Sequence, residues 1–193
     1  MPVLGLDLMG GDNAPQAVLQ AVDAVLPMLQ RNTSLKVYGP SSYVHEITTS
    51  HPVDFIVCSQ VVTMEEHPVE ALRHKKDSSL FRALKDLAAD QNHIVLSAGH
   101  SGALAVGGMQ FLGLQSGISR PVVASFLPRP QSEELLALDL GLNPDFKPEH
   151  ILEYALLAKR YFKQWRGREA QSIALLNTGA EATKGSKAHQ EAH

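Results

Sequence analysis

Three short runs in this chain combine small residues with hydroxyl, carboxylate, amide or imidazole groups. They are Met9-Gly10-Gly11-Asp12-Asn13, Ser97-Ala98-Gly99-His100-Ser101-Gly102 and Asn177-Thr178-Gly179-Ala180-Glu181. Each follows a short apolar run and so reads as a turn leaving a strand. Glycine in such a turn lets backbone N–H groups approach an anion closely, and a helix starting there adds partial positive charge. Asp12 could hold a donor or a metal. A single turn of this kind is more often plain packing geometry, but three on one expected sheet edge favour an anion site.

The basic run Arg73-His74-Lys75-Lys76, followed by Asp77-Ser78-Ser79, allows two readings. It is a solvated charged turn, or Arg73 or Lys76 reaches the anion while its neighbours face an acidic partner protein. Glu65 and Glu66 nearby suggest no distinct partner. Nine histidines and one cysteine show no zinc-ligand spacing, and the pair in His189-Gln190-Glu191-Ala192-His193 has its glutamate at the wrong place for a metalloprotease helix. Cys58 ends an apolar run and reads as a small buried residue rather than a nucleophile. No G-x-S-x-G elbow, Walker loop or complete G-x-G-x-x-G follows a strand, which argues against serine hydrolase, P-loop and standard dinucleotide readings.

The elements that must position these groups follow from periodicity. Strands are expected at 3–8, 35–38, 54–58, 93–97, 122–126, 135–140 and 172–176. A helix carrying Ala17, Val18, Ala21, Val22, Val25 and Leu26, with Asp12 or Asn13 as cap, should end or kink at Pro27. Others are expected at 79–89, capped by Asp77 or Ser78, and at 149–164, opened by Pro148. This alternation predicts an α/β fold with a doubly wound, mostly parallel sheet, and a hairpin excursion within 119–139 around Pro128-Arg129-Pro130. One domain over 1–178 and a polar tail over 179–193 are expected. With 193 residues, 44% of them hydrophobic, the chain can bury a substantial core. A formal charge of −3 with both signs interspersed offers no basic face to nucleic acid. The lone Cys58 forms no intramolecular disulfide, and no secretory pattern precedes the first strand, so the cytoplasm is the expected compartment. The richest apolar stretch, 98–114, is broken by glycines and holds His100 and Gln110, so any membrane contact would be peripheral.

Taken in order, the motifs resemble the PlsX family of bacterial phosphate acyltransferases. The matching stretches are Gly5-Leu6-Asp7-Leu8-Met9-Gly10-Gly11-Asp12-Asn13-Ala14-Pro15, then Met64 through Pro68 to Ala71-Leu72-Arg73-His74-Lys75-Lys76-Asp77-Ser78-Ser79-Leu80. Ser97 to Leu104, Gly117-Ile118-Ser119-Arg120-Pro121, Leu138-Asp139-Leu140-Gly141-Leu142-Asn143, Leu175 to Glu181 and Lys184-Gly185 continue the series. The resemblance implies transfer of a fatty acyl group from acyl carrier protein to inorganic phosphate, giving an acyl phosphate for phospholipid synthesis. It implies a three-layer α/β/α fold shared with phosphotransacetylases and the isocitrate dehydrogenase group, a homodimer and no metal or nicotinamide cofactor. A membrane glycerol-3-phosphate acyltransferase becomes a possible partner, at the inner face of the membrane. On this resemblance Gly10, Gly11, Asp12, Ser97, Gly99, Gly102 and Asn177 are the phosphate-binding candidates. His100, Ser101, Arg73, Lys76 and Lys184 are the catalytic candidates. The family usually has Asn-Thr where this chain has His100-Ser101, and its members are longer. Two alternatives stay open: a non-catalytic, truncated relative that binds acyl carrier protein or a partner enzyme, and a phosphotransacetylase-like transferase using a coenzyme A thioester.

Overall fold

A computed structural model describes residues 2–30, 32–47, 51–130, 132–179, 181 and 183–192. The chain divides into two compact units, Met1–Gly113 and Leu114–His193.

In the first unit, the apolar run at the start of the chain forms β1 (Val3–Asp7), followed by α1 (Gln16–Val25) and a 3-10 turn at Leu26–Met28 that contains Pro27. Then come β2 (Ser34–Gly39), a second 3-10 turn at Ser41–Glu46, β3 (Val53–Val57), α2 (Pro68–His74) and α3 (Ser79–Ala88). β4 (Ile94–Leu96) and α4 (Ser101–Leu112) complete the unit. The four strands are parallel in the order β3-β2-β1-β4. Side chains alternate across this sheet, as strand geometry requires. Leu35 and Val37 join Leu8 and the α1 residues Leu19 and Val22 in one cluster, while Tyr38 turns the other way to meet Ala83 of α3 and Cys58. Leu80, Phe81 and Leu84 of α3 pack with Ala71 of α2 and Ala103 of α4. Helices therefore cover both faces, which makes the expected three-layer α/β/α arrangement. Each fully buried side chain of this size stabilises the fold by roughly 1.5–3 kcal/mol.

The helix starts differ in one respect from expectation. Ser78 caps α3, its hydroxyl accepting from the Phe81 N–H, whereas α1 has Pro15 at its N-cap and no side-chain cap bond. Asp12 and Asn13 fall inside a tight turn closed by the Ala14 N–H to the Gly11 carbonyl, too early to reach the free N–H groups of α1.

In the second unit, β5 (Ala124–Arg129) and β6 (Ser132–Leu138) form the expected antiparallel hairpin, with a register shift between Leu127 and Arg129. The long amphipathic helix is α5 (Pro148–Arg166), ended by Gly167 in the left-handed conformation at φ 67°. Phe126 of β5 stacks with Tyr161 at 6.0 Å, and the Arg166 guanidinium lies 4.2 Å from the Phe126 ring centre. The strand expected at 172–176 is not formed. Among the described residues no neighbouring strand pairs with this stretch, and Leu176 is 91% exposed. An apolar run becomes a strand only where a partner takes its backbone hydrogen bonds. Within the polar stretch 179–193 a short helix, α6 (Lys187–Ala192), places His189 edge-on to Phe146 at 5.0 Å.

Candidate functional site

The strand order makes a crossover point. From β1 the chain moves outward to β2 and β3, then returns to add β4 on the opposite side of β1. At such a point the loops leaving the two adjacent strands diverge and open a crevice beyond their carboxyl ends. Those loops are residues 8–13 and 97–102, two of the three anion loops expected from the sequence.

They are stitched together by Asp7, which is buried at the end of β1 with 3% exposure. Its carboxylate accepts from the Met9 N–H at 3.1 Å and from the Ser97 hydroxyl at 2.7 Å. The Ser97 oxygen in turn accepts from the Gly99 N–H at 3.1 Å. The loops approach one another most closely at Gly10 and Gly99. A Cβ at Gly10 would lie 2.8 Å from both the Gly99 nitrogen and the Ser97 hydroxyl, and one at Gly99 would lie 3.2 Å from the Gly10 Cα. Gly11 has φ 107°, a conformation only glycine adopts easily. Among the described residues nothing accepts from the N–H groups of Gly11, Asp12, Asn13, Ala98, His100 or Ser101. Six backbone donors thus lie on two loops in direct contact.

His100 caps α4. Its Nδ1 accepts from the Gly102 N–H at 3.1 Å and the Ala103 N–H at 3.4 Å, and its Nε2 lies 3.1 Å from the Glu66 carbonyl. A Cβ at Gly102 would come within 2.9 Å of Pro68 Cγ, so α2 abuts the first turn of α4. The segment before α2 is held by Lys75, whose ammonium donates to the Val61 carbonyl and pairs with Glu66 at 2.7 Å. The bond from Lys75, joined by the Thr63 N–H, holds the Glu66 carboxyl below the ordinary carboxylate range. Arg73 lies on the outer side of α2, 67% exposed and paired with Glu70 at 2.9 Å. Lys76 is exposed in the turn between α2 and α3. Asp77 accepts from the Ser59 hydroxyl and N–H and pairs with Arg82, and these bonds hold its carboxyl down at about 2.

The remaining candidates belong to the second unit. The Asn177 amide donates to the Lys184 carbonyl at 3.1 Å and its oxygen accepts from the Thr178 N–H, so the turn after 176 closes on the Lys184-Gly185 motif. Asp139 in this unit accepts from the N–H groups of Val123, Leu142 and Asn143 and from the Asn143 amide. Burial works against its charge, but these donors prevail and keep its carboxyl below the usual range. A cleft of about 380 Å³ lined by Arg120, Asn143, Lys147 and His150 also lies here, with the Arg120 guanidinium bonded to the Asp145 carbonyl. Among the described residues no three of His, Cys, Asp and Glu gather as a metal-binding set.

The family model described as "Fatty acid synthesis protein" matches residues 3–193. The chain belongs to this family. It is similar to the phosphate acyltransferase of Exiguobacterium sibiricum, 36% identical over 195 residues covering 99% of this chain and 58% of the relative. It is also similar to that of Lysinibacillus sphaericus, 37% identical over 95% of this chain and 56% of the relative. The Staphylococcus aureus enzyme is 36% identical over 96% of this chain and 56% of its own length. The chain therefore spans little more than half the length of these curated relatives. In this family member the crevice brings Gly10, Gly11, Asp12, Ser97, Gly99, His100, Ser101 and Gly102 together within the first unit. Sequence reasoning passed over Asp7 and Lys75 as site-building groups. The signal for Asp7 was a carboxylate alternating with Leu6 and Leu8 in an otherwise apolar run, a position that demands hydrogen-bond partners once buried.

Proposed function

We propose that this protein acts as a phosphate acyltransferase, moving a fatty acyl group from acyl carrier protein to inorganic phosphate, with the phosphate held where residues 9–13 meet 97–102. The carrying observation is the crossover between β1 and β4, where two abutting loops with unpartnered backbone N–H groups leave the strands at the place in which open α/β sheets bind ligands. A phosphate oxygen attacks the thioester carbonyl, the C–O bond forms, the C–S bond breaks, and the carrier leaves as a thiol after taking a proton. Such chemistry needs a polyanion fixed beside a carbonyl and donors for the developing oxyanion. Gly10, Gly11, Asp12, Ser97, Gly99 and Gly102 shape the anion loops, and Asn177 belongs to the third. Ser101, Arg73 and Lys76 are the side chains of the first unit that add donors or positive charge, and Lys184 closes the third loop through Asn177.

Family membership and the names of the relatives support the reaction class. Acyl carrier protein as donor, a homodimeric state, a cytoplasmic setting and a membrane glycerol-3-phosphate acyltransferase as the next partner are parts of the same proposal. Among the described residues no helix is long and apolar enough to cross a membrane. The test is turnover with acyl-acyl carrier protein and acyl-coenzyme A side by side, each with and without phosphate. Acyl phosphate formed from the carrier protein is the expected result. Release of free fatty acid without acyl phosphate, or turnover on coenzyme A alone, overturns it.

A further inference from the structure

The chemistry of His100 sets a condition on the anion loops, and it rests on the phosphate-site reading above. Backbone N–H groups can only donate, so the Nδ1 that receives Gly102 and Ala103 carries no proton. The Glu66 carbonyl can only accept, so the Nε2 facing it carries the proton of a neutral ring. As it stands, this imidazole takes up two of the donors that the first turn of α4 would otherwise present to an anion.

An imidazolium has two N–H groups and no acceptor. Protonation of His100 would set an N–H against the N–H groups of Gly102 and Ala103. The cap must then break, which frees two donors and places a positive charge beside the crevice. We propose that His100 is a positioning residue that couples proton uptake to anion binding: neutral, it withholds the Gly102 and Ala103 N–H groups; protonated, it releases them to the anion.

The charged groups around it permit this. From the α2 side come Glu65, Glu66, His67 and Lys75, and the Glu66 carboxylate is already paired with the Lys75 ammonium. From the end of β1 comes the buried Asp7, whose oxygens are taken by Met9 and Ser97, and from the turn after it the exposed Asp12. On α3, Lys85 lies over Phe111 at the far end of α4, and Asp86 accepts from Tyr38. None of these carboxylates is bonded to the ring, so a bound dianion becomes the counter-charge of the imidazolium. Linkage then requires the converse effect, with the anion raising the affinity of His100 for its proton.

Sulfate is the probe, because its charge does not change across the range in which histidine titrates. Its affinity is measured by calorimetry from about pH 8 to about pH 5.5 on the parent protein and on His100→Asn. Asparagine keeps an N-cap acceptor but cannot titrate. Sulfate is expected to bind the parent about fivefold or more tightly at the acid end, while His100→Asn binds with less than about a twofold change. Independently, the imidazole resonance of His100 in the parent is followed by NMR, and its midpoint is expected to rise when sulfate is saturating. That measurement decides alone if the variant fails to fold. Equal pH slopes in the two proteins, or a midpoint unmoved by sulfate, overturn the role given to His100 and leave the anion site standing. Absence of sulfate binding in the parent at every pH overturns both.

Discussion

At the scale of single residues, the crevice depends on atoms that are missing rather than present. Gly10 has backbone and a hydroxyl where its Cβ would go, at 2.8–2.9 Å. Neither neighbour is the free end of a flexible chain, because Ser97 is tied to Asp7. Gly10→Ala should therefore destabilise the protein by about 1–3 kcal/mol through local overpacking and abolish measurable phosphate binding. Thermal unfolding and calorimetry check the two parts, and an unstrained alanine with intact binding would show that the loops separate easily. Arg73 tests a different point. Its pair with Glu70 is exposed, so Arg73→Ala should cost less than about 1 kcal/mol of stability. If the guanidinium leaves Glu70 for the anion, phosphate affinity should fall by about thirtyfold, the equivalent of about 2 kcal/mol. We expect that fall, and unchanged affinity in the calorimeter would return Arg73 to a purely solvated role.

At the scale of elements, the turn from α2 into α3 is set by Asp77 and Ser78. Ser78 is fully buried and caps α3, while Asp77 ties Ser59, after β3, to Arg82 on α3. The Asp77 carboxyl is depressed in the folded protein to about 2 by the Ser59 hydroxyl, the Ser59 N–H and the Arg82 guanidinium, in that order. A depressed carboxyl contributes stability that is fully present above its unfolded value near 4 and is lost as pH falls through the folded value. Acid unfolding between about pH 4 and pH 2 should accordingly be shallower in Asp77→Asn than in the parent. Denaturant midpoints measured at several acid pH values read this directly, and parallel curves would mean that the Ser59 and Arg82 bonds are not maintained in solution.

At the scale of the whole molecule, the two units differ in what they bury. Every buried apolar side chain among the described residues except Ile118 lies in the first unit. The loops proposed to hold phosphate, with Asp7 and His100, also lie there. A fragment comprising residues 1–113 is expected to fold cooperatively and to bind phosphate within about threefold of the whole chain, because the donors and their supports are internal to it. Circular dichroism melting and calorimetry on the fragment check this. A folded fragment that no longer binds phosphate would show that the second unit, with Asn177 and Lys184, contributes to the anion site.

Much of this is legible in the sequence. The parallel sheet, the hairpin, a cap at Asp77 or Ser78, the helix opened by Pro148 and the small-residue turns all follow from local pattern, because apolar period and turn chemistry act over a few residues. The same locality explains what was missed. Asp7 and Ser97 are 90 positions apart, and only the strand order, which sets β4 beside β1, makes them partners. His100 is a catalytic candidate on the resemblance, and only the tertiary structure shows its ring turned back onto its own helix, held from outside by the Glu66 carbonyl. The run at 172–176 had the composition of a strand and lacks a partner among the described residues, since strand formation is a pairwise property that no segment carries alone. Sequence determined which segments bend, extend or coil. Tertiary structure decided which hydrogen-bonding groups are consumed within the fold and which remain free to meet a ligand, because each such group binds whichever partner the packed chain brings within about 3 Å.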